Sequence, residues 1–288
     1  MKIGVVFPQI EIGSDPIGVR DYAQAVEDLG YSHILAYDHV LGASPEGRDF
    51  AMAYTDQSLF HEVLTLFAYL AGLTRKVELV TGVVILPQRQ TVLVAKQSAE
   101  IDVLSGGRFR LGVGLGWNPV EYESLGESFH DRGRRIEEQV AVMRQLWTEP
   151  VVDFHGKWHQ IDRAGLNPLP VQRPIPVWFG GTDERALKRL ARIADGWMPN
   201  RKPAEGWPAN VARVREYVRA AGRDVARFGL EGRLNTANQA ADRWRAEAEE
   251  WRSLGADYLD VNTMGAGLRG PRAHIERLRE IKAALDAP

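Results

Sequence analysis

The chain has 288 residues, 44% hydrophobic and 26% charged, with a formal net charge of −2 and no cysteine. This mixture fits a soluble globular protein, and its near-neutral charge excludes an electrostatic footprint for nucleic acid or an anionic membrane. The missing cysteines exclude disulfides, thiolate metal sites and cysteine nucleophiles; no run reaches the roughly 18 apolar residues of a membrane helix and no signal-peptide core opens the chain, so the expected location is the cytoplasm.

Short apolar runs rich in β-branched residues alternate with longer stretches that are apolar every three or four positions. Ile3 to Phe7 reads as the first strand, and Val19, Ala23, Val26 and Gly30 stripe the helix after it. A second strand spans about Ser32 to Tyr37. A polar loop from about Gly42 to Gln57 follows and is a candidate lid carrying Phe50 and Tyr54. Leu64, Phe67, Ala68 and Ala71 mark the next helix.

The third strand, Val77 to Leu86, is long and carries Gly82 inside it, which suggests a bulge, a close approach or a packing glycine. A helix from about Thr91 to Leu104 ends on Ser105-Gly106-Gly107, a C-cap signature. Arg108 to Leu115 reads as strand four, and Ile136, Val140, Met143 and Trp147 as the next helix. Residues Thr148 to Arg173 break the rhythm and read as an inserted hairpin too short to bury its own core.

Strand five is Pro176 to Phe179, with Leu187, Leu190, Ala191 and Ala194 on its helix. A short strand six lies near Gly196 to Met198, and Val211, Val214, Val218 and Ala221 stripe a further helix. Glu231 and Arg233 interrupt strand seven, Gly229 to Leu234. Trp244, Ala248 and Trp251 precede strand eight, Tyr258 to Val261, and Ile275, Leu278, Ile281 and Leu285 close the chain. Eight strand–helix units in strict alternation predict a single-domain (β/α)₈ TIM barrel over residues 1–288, with an insertion before strand five. Six or seven units would instead leave an open sheet.

In such a barrel, function gathers on the loops after each strand's C-terminal end. The rule selects Pro8 and Gln9, Asp38 and His39, Gly82 and Val83, the run Gly114, Leu115, Gly116, Trp117 and Asn118, the run Gly180, Gly181 and Thr182, and Trp197 to Asn200. His39 can accept, donate or orient a proton, or only bridge loop backbone. Asn118 before Pro119 reads as an N-cap with proline at N1. Gly180-Gly181-Thr182 before a helix suits an anion, or is an ordinary turn capped by Thr182 or Asp183. Gly112, Gly114 and Gly116 lack the spacing of a dinucleotide fingerprint. His61-Glu62, His155 and His159 lack metal-ligand spacing, so no metal is expected.

Gly82-Val83-Val84-Ile85-Leu86-Pro87, Ala95-Lys96-Gln97, Leu104 to Phe109, Leu111 to Trp117, Trp178 to Gly181 and Asp195-Gly196-Trp197 occur in this order. Together they resemble the luciferase-like monooxygenase superfamily, and within it oxidoreductases that use the deazaflavin coenzyme F-420. The likeness is carried by residues 1–200. It implies a cofactor ring in the barrel mouth, a cis peptide at Gly82-Val83 behind the ring, Asp38 and His39 beside ring and substrate, Gly114 to Asn118 flanking the ring, and Gly180 to Thr182 on its phosphate. It also implies a homodimer. The family's sugar-phosphate dehydrogenases carry a glutamate where this chain has Trp117 and a tryptophan where it has Ala43, so their substrate is not carried over. The expected function is hydride transfer between F-420 and a small organic substrate, with His39 as the catalytic residue. FMN-dependent monooxygenase chemistry and a cofactor-binding barrel without turnover are the alternatives.

Overall fold

A computed structural model describes residues 1–49, 52–199, 205–237 and 239–287. Phe50 and Asn200, named above, lie outside them. The chain runs β1 (Lys2–Val6), α1 (Pro16–Asp28), β2 (His33–Ala36), α2 (Val63–Leu73), β3 (Glu78–Thr81), β4 (Val84–Ile85) and α3 (Thr91–Ser105). It continues through β5 (Phe109–Gly114), α4 (Pro119–Ser124), α5 (Arg132–Thr148), β6 (Val152–His155), β7 (Gln160–Ala164), β8 (Val177–Phe179) and α6 (Glu184–Ile193). It ends with β9 (Gly196–Trp197), α7 (Trp207–Ala220), β10 (Gly229–Asn235), α8 (Ala241–Ser253), β11 (Tyr258–Asn262) and α9 (Gly270–Asp286).

The parallel sheet runs β3-β2-β1-β11-β10-β9-β8-β5-β4, and β3 also pairs with β5, so the ring closes. The expected third strand is split. Residues 82–83 interrupt it with a cis Gly82–Val83 bond, and β3 and β4 each pair with β5 on either side of that break. Counted as one bulged strand, β3 and β4 complete eight, the closed (β/α)₈ barrel that strict alternation predicts. No helix among the described residues is long and apolar enough to cross a membrane.

Local chemistry sets the element ends. Asp15 caps α1 by accepting from the Ile17 and Gly18 N–H groups. Gly106 ends α3 in the left-handed region at φ 69°, a conformation that favours glycine. Asn118 caps α4, accepting from the Val120 N–H, with Pro119 at the first helical position. Strand four therefore leads into two helices rather than one, and Gly126, at φ 73°, turns the chain between them.

The insertion is the antiparallel hairpin β6–β7. It is fastened by Glu138 of α5, which accepts from the N–H groups of Lys157, Trp158 and His159 at 2.8–2.9 Å. His159 is half-buried. Its Nδ1 lies 2.8 Å from Glu138 and its Nε2 2.5 Å from Thr91 Oγ1, which locks the hairpin to α3 and α5.

Glu231 and Arg233, which weaken the strand-seven pattern, lie within β10; the Glu231 carboxylate is buried inside the barrel and the Arg233 side chain is half-buried beside it. There they meet partners from other strands. Arg110 of β5 binds Glu231 and sits 4.4 and 4.1 Å from the ring centroids of Trp178 and Tyr258. His33 of β2 contacts Asp260 of β11 at 2.8 Å and Glu231 at 3.2 Å. The barrel is thus filled by ion pairs where an apolar layer is usual.

Removing one partner of a buried pair strands the other charge, at a cost of about 3–5 kcal/mol. We expect Glu231→Ala to lower unfolding free energy by about that amount in urea titrations. Burial alone would depress His33, but the Asp260 and Glu231 carboxylates overrule it and hold the ring up at about 9, above the ordinary 6.5. A raised folded-state value stabilises fully below pH 6.5 and loses its effect as pH climbs through 9. The unfolding free energy from urea titrations should therefore fall across that window, by on the order of 3 kcal/mol. A flat profile there would contradict a cationic His33.

Candidate functional site

The C-terminal ends of the strands form the barrel mouth. Its floor is apolar: Val6, Leu35, Val80, Trp178 and Met198 are buried, with half-buried Tyr37, Val83 and Met264 above them. Val83 is the keystone. A Cβ on Gly114 would lie 2.5 Å from its Cγ2, and one on Gly180 would lie 3.2 Å from its Cγ1. Three of the segments picked out by the strand-end rule therefore converge on one side chain. The glycines admit neighbouring side chains: Val83 fills the space beside Gly114, and Ile85 that beside Gly116. Leu115, Gly116 and Trp117 stay half-buried at the rim.

Asp38 and His39, adjacent in sequence, have different surroundings. Asp38 is buried and held by a fork from Arg89, at 2.6 and 3.3 Å, and by the Ile85 N–H at 3.0 Å. Arg89 also binds Glu62 at 3.0 Å. Asp38 thus ties β2 to β4 and leaves little capacity for a ligand. Gln9, also buried, accepts from the Tyr37 N–H at 2.6 Å and is occupied in the same way.

His39 faces an aromatic enclosure. Phe60, Tyr54 and Trp117 lie edge-on to its ring at centroid distances of 4.8, 5.3 and 5.7 Å. Its Nδ1 is 3.4 Å from Oε2 of Glu121, in the first turn of α4. The other oxygen of Glu121 accepts from the Val40 and Leu41 N–H groups. Burial pushes this carboxyl up, but His39 and the two N–H groups outweigh it and hold it below the ordinary carboxylate range. The result is a histidine oriented by an ionised carboxylate, the arrangement of a general acid–base pair.

Tyr54 belongs to the expected lid, and Phe60 follows just after it. The neck of that loop is tight: a Cβ on Gly42 would meet Thr55 O at 2.1 Å, and the Asp56 N–H donates to Ala43 O. Ends this close define an Ω-loop. Across the mouth, Asp183 rather than Thr182 caps α6, accepting from the Ala186 N–H at 3.0 Å. The Trp197 indole donates to Gly181 O at 2.8 Å and pins the turn. Among the described residues, no protein acceptor takes the Gly181 and Thr182 N–H groups.

One histidine–carboxylate group, His33 with Glu231 and Asp260, brings its ligand atoms within 4.8 Å of one another. It lies in the buried charge layer, where Arg110 and Arg233 already supply the positive charge.

Residues 3–287 match the profile of the luciferase-like monooxygenase family. The chain belongs to that family. It is 36% identical over 209 residues to an uncharacterized protein of Mycobacterium tuberculosis, covering 70% of this chain and 71% of the relative. It is 34% identical over 169 residues to the FMNH(2)-dependent dimethylsulfone monooxygenase of Pseudomonas putida, covering 57% of this chain and 46% of that one. Its fold is similar to that of an F-420-dependent secondary alcohol dehydrogenase in complex with an F-420–acetone adduct, with a TM-score of 0.78, 17% identity and 99% of each chain covered.

For this luciferase-like monooxygenase family member, the residue that sequence reasoning missed is Glu121. The resemblance directed attention to Trp117, where related dehydrogenases carry a glutamate. The carboxylate comes instead from the next helix, four positions on. An acidic residue in the first turn after Asn118-Pro119 was the available signal, because that turn begins at a strand's C-terminal end.

The packing of Val83 has a direct test. Gly114→Ala should destabilise the chain by about 1–3 kcal/mol, and much less in a Val83→Ala background. Additive costs in the double-mutant cycle would show that the two positions do not meet.

Proposed function

We propose that this chain is an oxidoreductase that transfers a hydride between coenzyme F-420 and a small organic substrate at the barrel mouth. The observation that carries the reading is the His39–Glu121 pair inside an aromatic enclosure. Interconverting an alcohol and a carbonyl moves a proton as well as a hydride, and this pair supplies the proton site.

The residues fit such a cofactor. The half-buried surface around Val83, Tyr37 and Met264 suits a planar heterocycle. The Gly181 and Thr182 N–H groups, just ahead of α6, suit a phosphate. Bound there, F-420 supplies the two-electron hydride chemistry. The protein's part is positional and protic. Glu121 holds Nδ1 of His39 and so leaves Nε2 to exchange a proton with the substrate oxygen. Tyr54, Phe60 and Trp117 keep water from the imidazole. Leu115, Gly116 and Trp117 border the ring's edge at the rim. Asp38 acts at one remove, by fixing β4 and with it Val83.

A second reading is FMN-dependent monooxygenation. It is favoured by the 34% identity to the dimethylsulfone monooxygenase, since both chemistries use a ring in the same mouth.

Anaerobic titration with F-420 and with FMN, followed by absorbance, separates the two. F-420 should bind and be reduced by members of an alcohol panel. His39→Asn should lower that turnover by about 10²–10⁴-fold with cofactor binding intact, and Glu121→Gln should lower it less. Tight FMN binding with oxygen consumption, and no binding of F-420, would overturn the deazaflavin assignment.

A further inference from the structure

Arg233 of β10 is a half-buried cation with a weak internal partner. In the charge layer, Glu231 is engaged by Arg110 and His33, and Oδ1 of Asp260 is engaged by His33 at 2.8 Å. Arg233 is left with Oδ2 of Asp260, 3.6 Å from its Nη2, and with the neutral hydroxyl of Tyr37. Its Nε is buried without any hydrogen-bond partner. Three cations, Arg110, Arg233 and protonated His33, thus face two fully buried carboxylates, Glu231 and Asp260. The further anion, Glu78, is 26% exposed and belongs to Arg110.

This guanidinium adjoins the mouth. It lies 5.2 Å from the ring centroid of Tyr37, the residue before Asp38 and His39 and part of the half-buried mouth lining. Its side chain keeps 15% exposure. Tyr54, which flanks His39, is pushed up to about 12 by burial and by Tyr37, against the pull of Arg233. Burial likewise keeps the Tyr37 hydroxyl neutral against the same pull. Two protonated phenols and an under-compensated guanidinium therefore line one side of the space next to His39. A planar fork of N–H donors matches a carboxylate, and a buried cation with an unmet donor is stabilised by an incoming anion.

We propose that Arg233 anchors a carboxylate on the substrate, so that this barrel acts on small organic acids whose reacting carbon is thereby held towards His39. The inference rests on the barrel mouth being the reactive site, as proposed above, and it adds the substrate class and the residue that selects it. Asp260, steadied by His33, holds the guanidinium from below, and Tyr37 holds it from the side.

The test is calorimetric titration of the full chain, alone and with saturating F-420, using benzoate and the neutral benzyl alcohol as probes. Benzoate should bind the wild type more tightly than benzyl alcohol. Arg233→Gln should weaken benzoate by roughly tenfold or more and leave benzyl alcohol unchanged. Arg233→Lys keeps the charge without the fork and should fall between the two, and it carries the test if the glutamine variant does not fold. Equal binding of both probes to the wild type, or benzoate binding indifferent to the substitutions, overturns the proposal. So does an Arg233→Gln variant that loses F-420 or FMN binding while keeping benzoate, because the cation would then serve the ring. Arg233-dependent benzoate binding in a chain that takes neither cofactor would uphold the anchor and refute the oxidoreductase reading instead.

Discussion

Arg110 and Glu231 meet inside the barrel from strands on different walls, and their pairing fixes how the ring of strands is filled. Arg110 belongs to β5, the strand that closes the ring through β3, and Glu231 to β10. The guanidinium is packed between Trp178 of β8 and Tyr258 of β11, so one side chain touches elements all round the lumen. An apolar filling would be indifferent to small rotations of one wall against another. Charges with directional partners are not, because a misplaced carboxylate in low dielectric costs several kcal/mol. The mouth is built directly above this layer and takes its geometry from it.

The alternation of strand and helix was legible because each element obeys its own period. Even the two-residue β9 could be read, from Gly196-Trp197 next to a striped helix. The shared motifs were legible for a different reason: most of them hold the barrel together. Arg108 donates to Ser105 O, Thr74 O and Val77 O. Asp195 accepts from the Val177 N–H and from Arg144. Gly112 is needed because a Cβ there would lie 1.9 Å from Thr81 O. Such residues announce the fold strongly and the reaction only indirectly.

What the sequence concealed is what depends on three-dimensional pairing. Glu121 and His39 are 82 positions apart, and no periodicity links them. Asp38 reads as a cofactor-site residue until Arg89, from the turn after β4, is brought against it. Glu231 and Arg233 read as damage to a strand, because a surface-oriented pattern has no place for charges that neutralise one another inside a lumen. The strand-end rule gathers residues that share one neighbourhood, but it does not separate those that shape the mouth, such as Asp38, from those left to line it, such as His39.

The tight neck of the loop after β2 has an evolutionary consequence. Gly42 and Ala43 close against Thr55 and Asp56 before the chain re-enters the scaffold. Whatever lies between those ends can lengthen, shorten or be exchanged with little effect on the strands beneath, since loop length alone alters stability only slowly. Descendants of this chain can therefore exchange that segment beside the mouth while His39, Glu121 and the lumen charges are inherited unchanged.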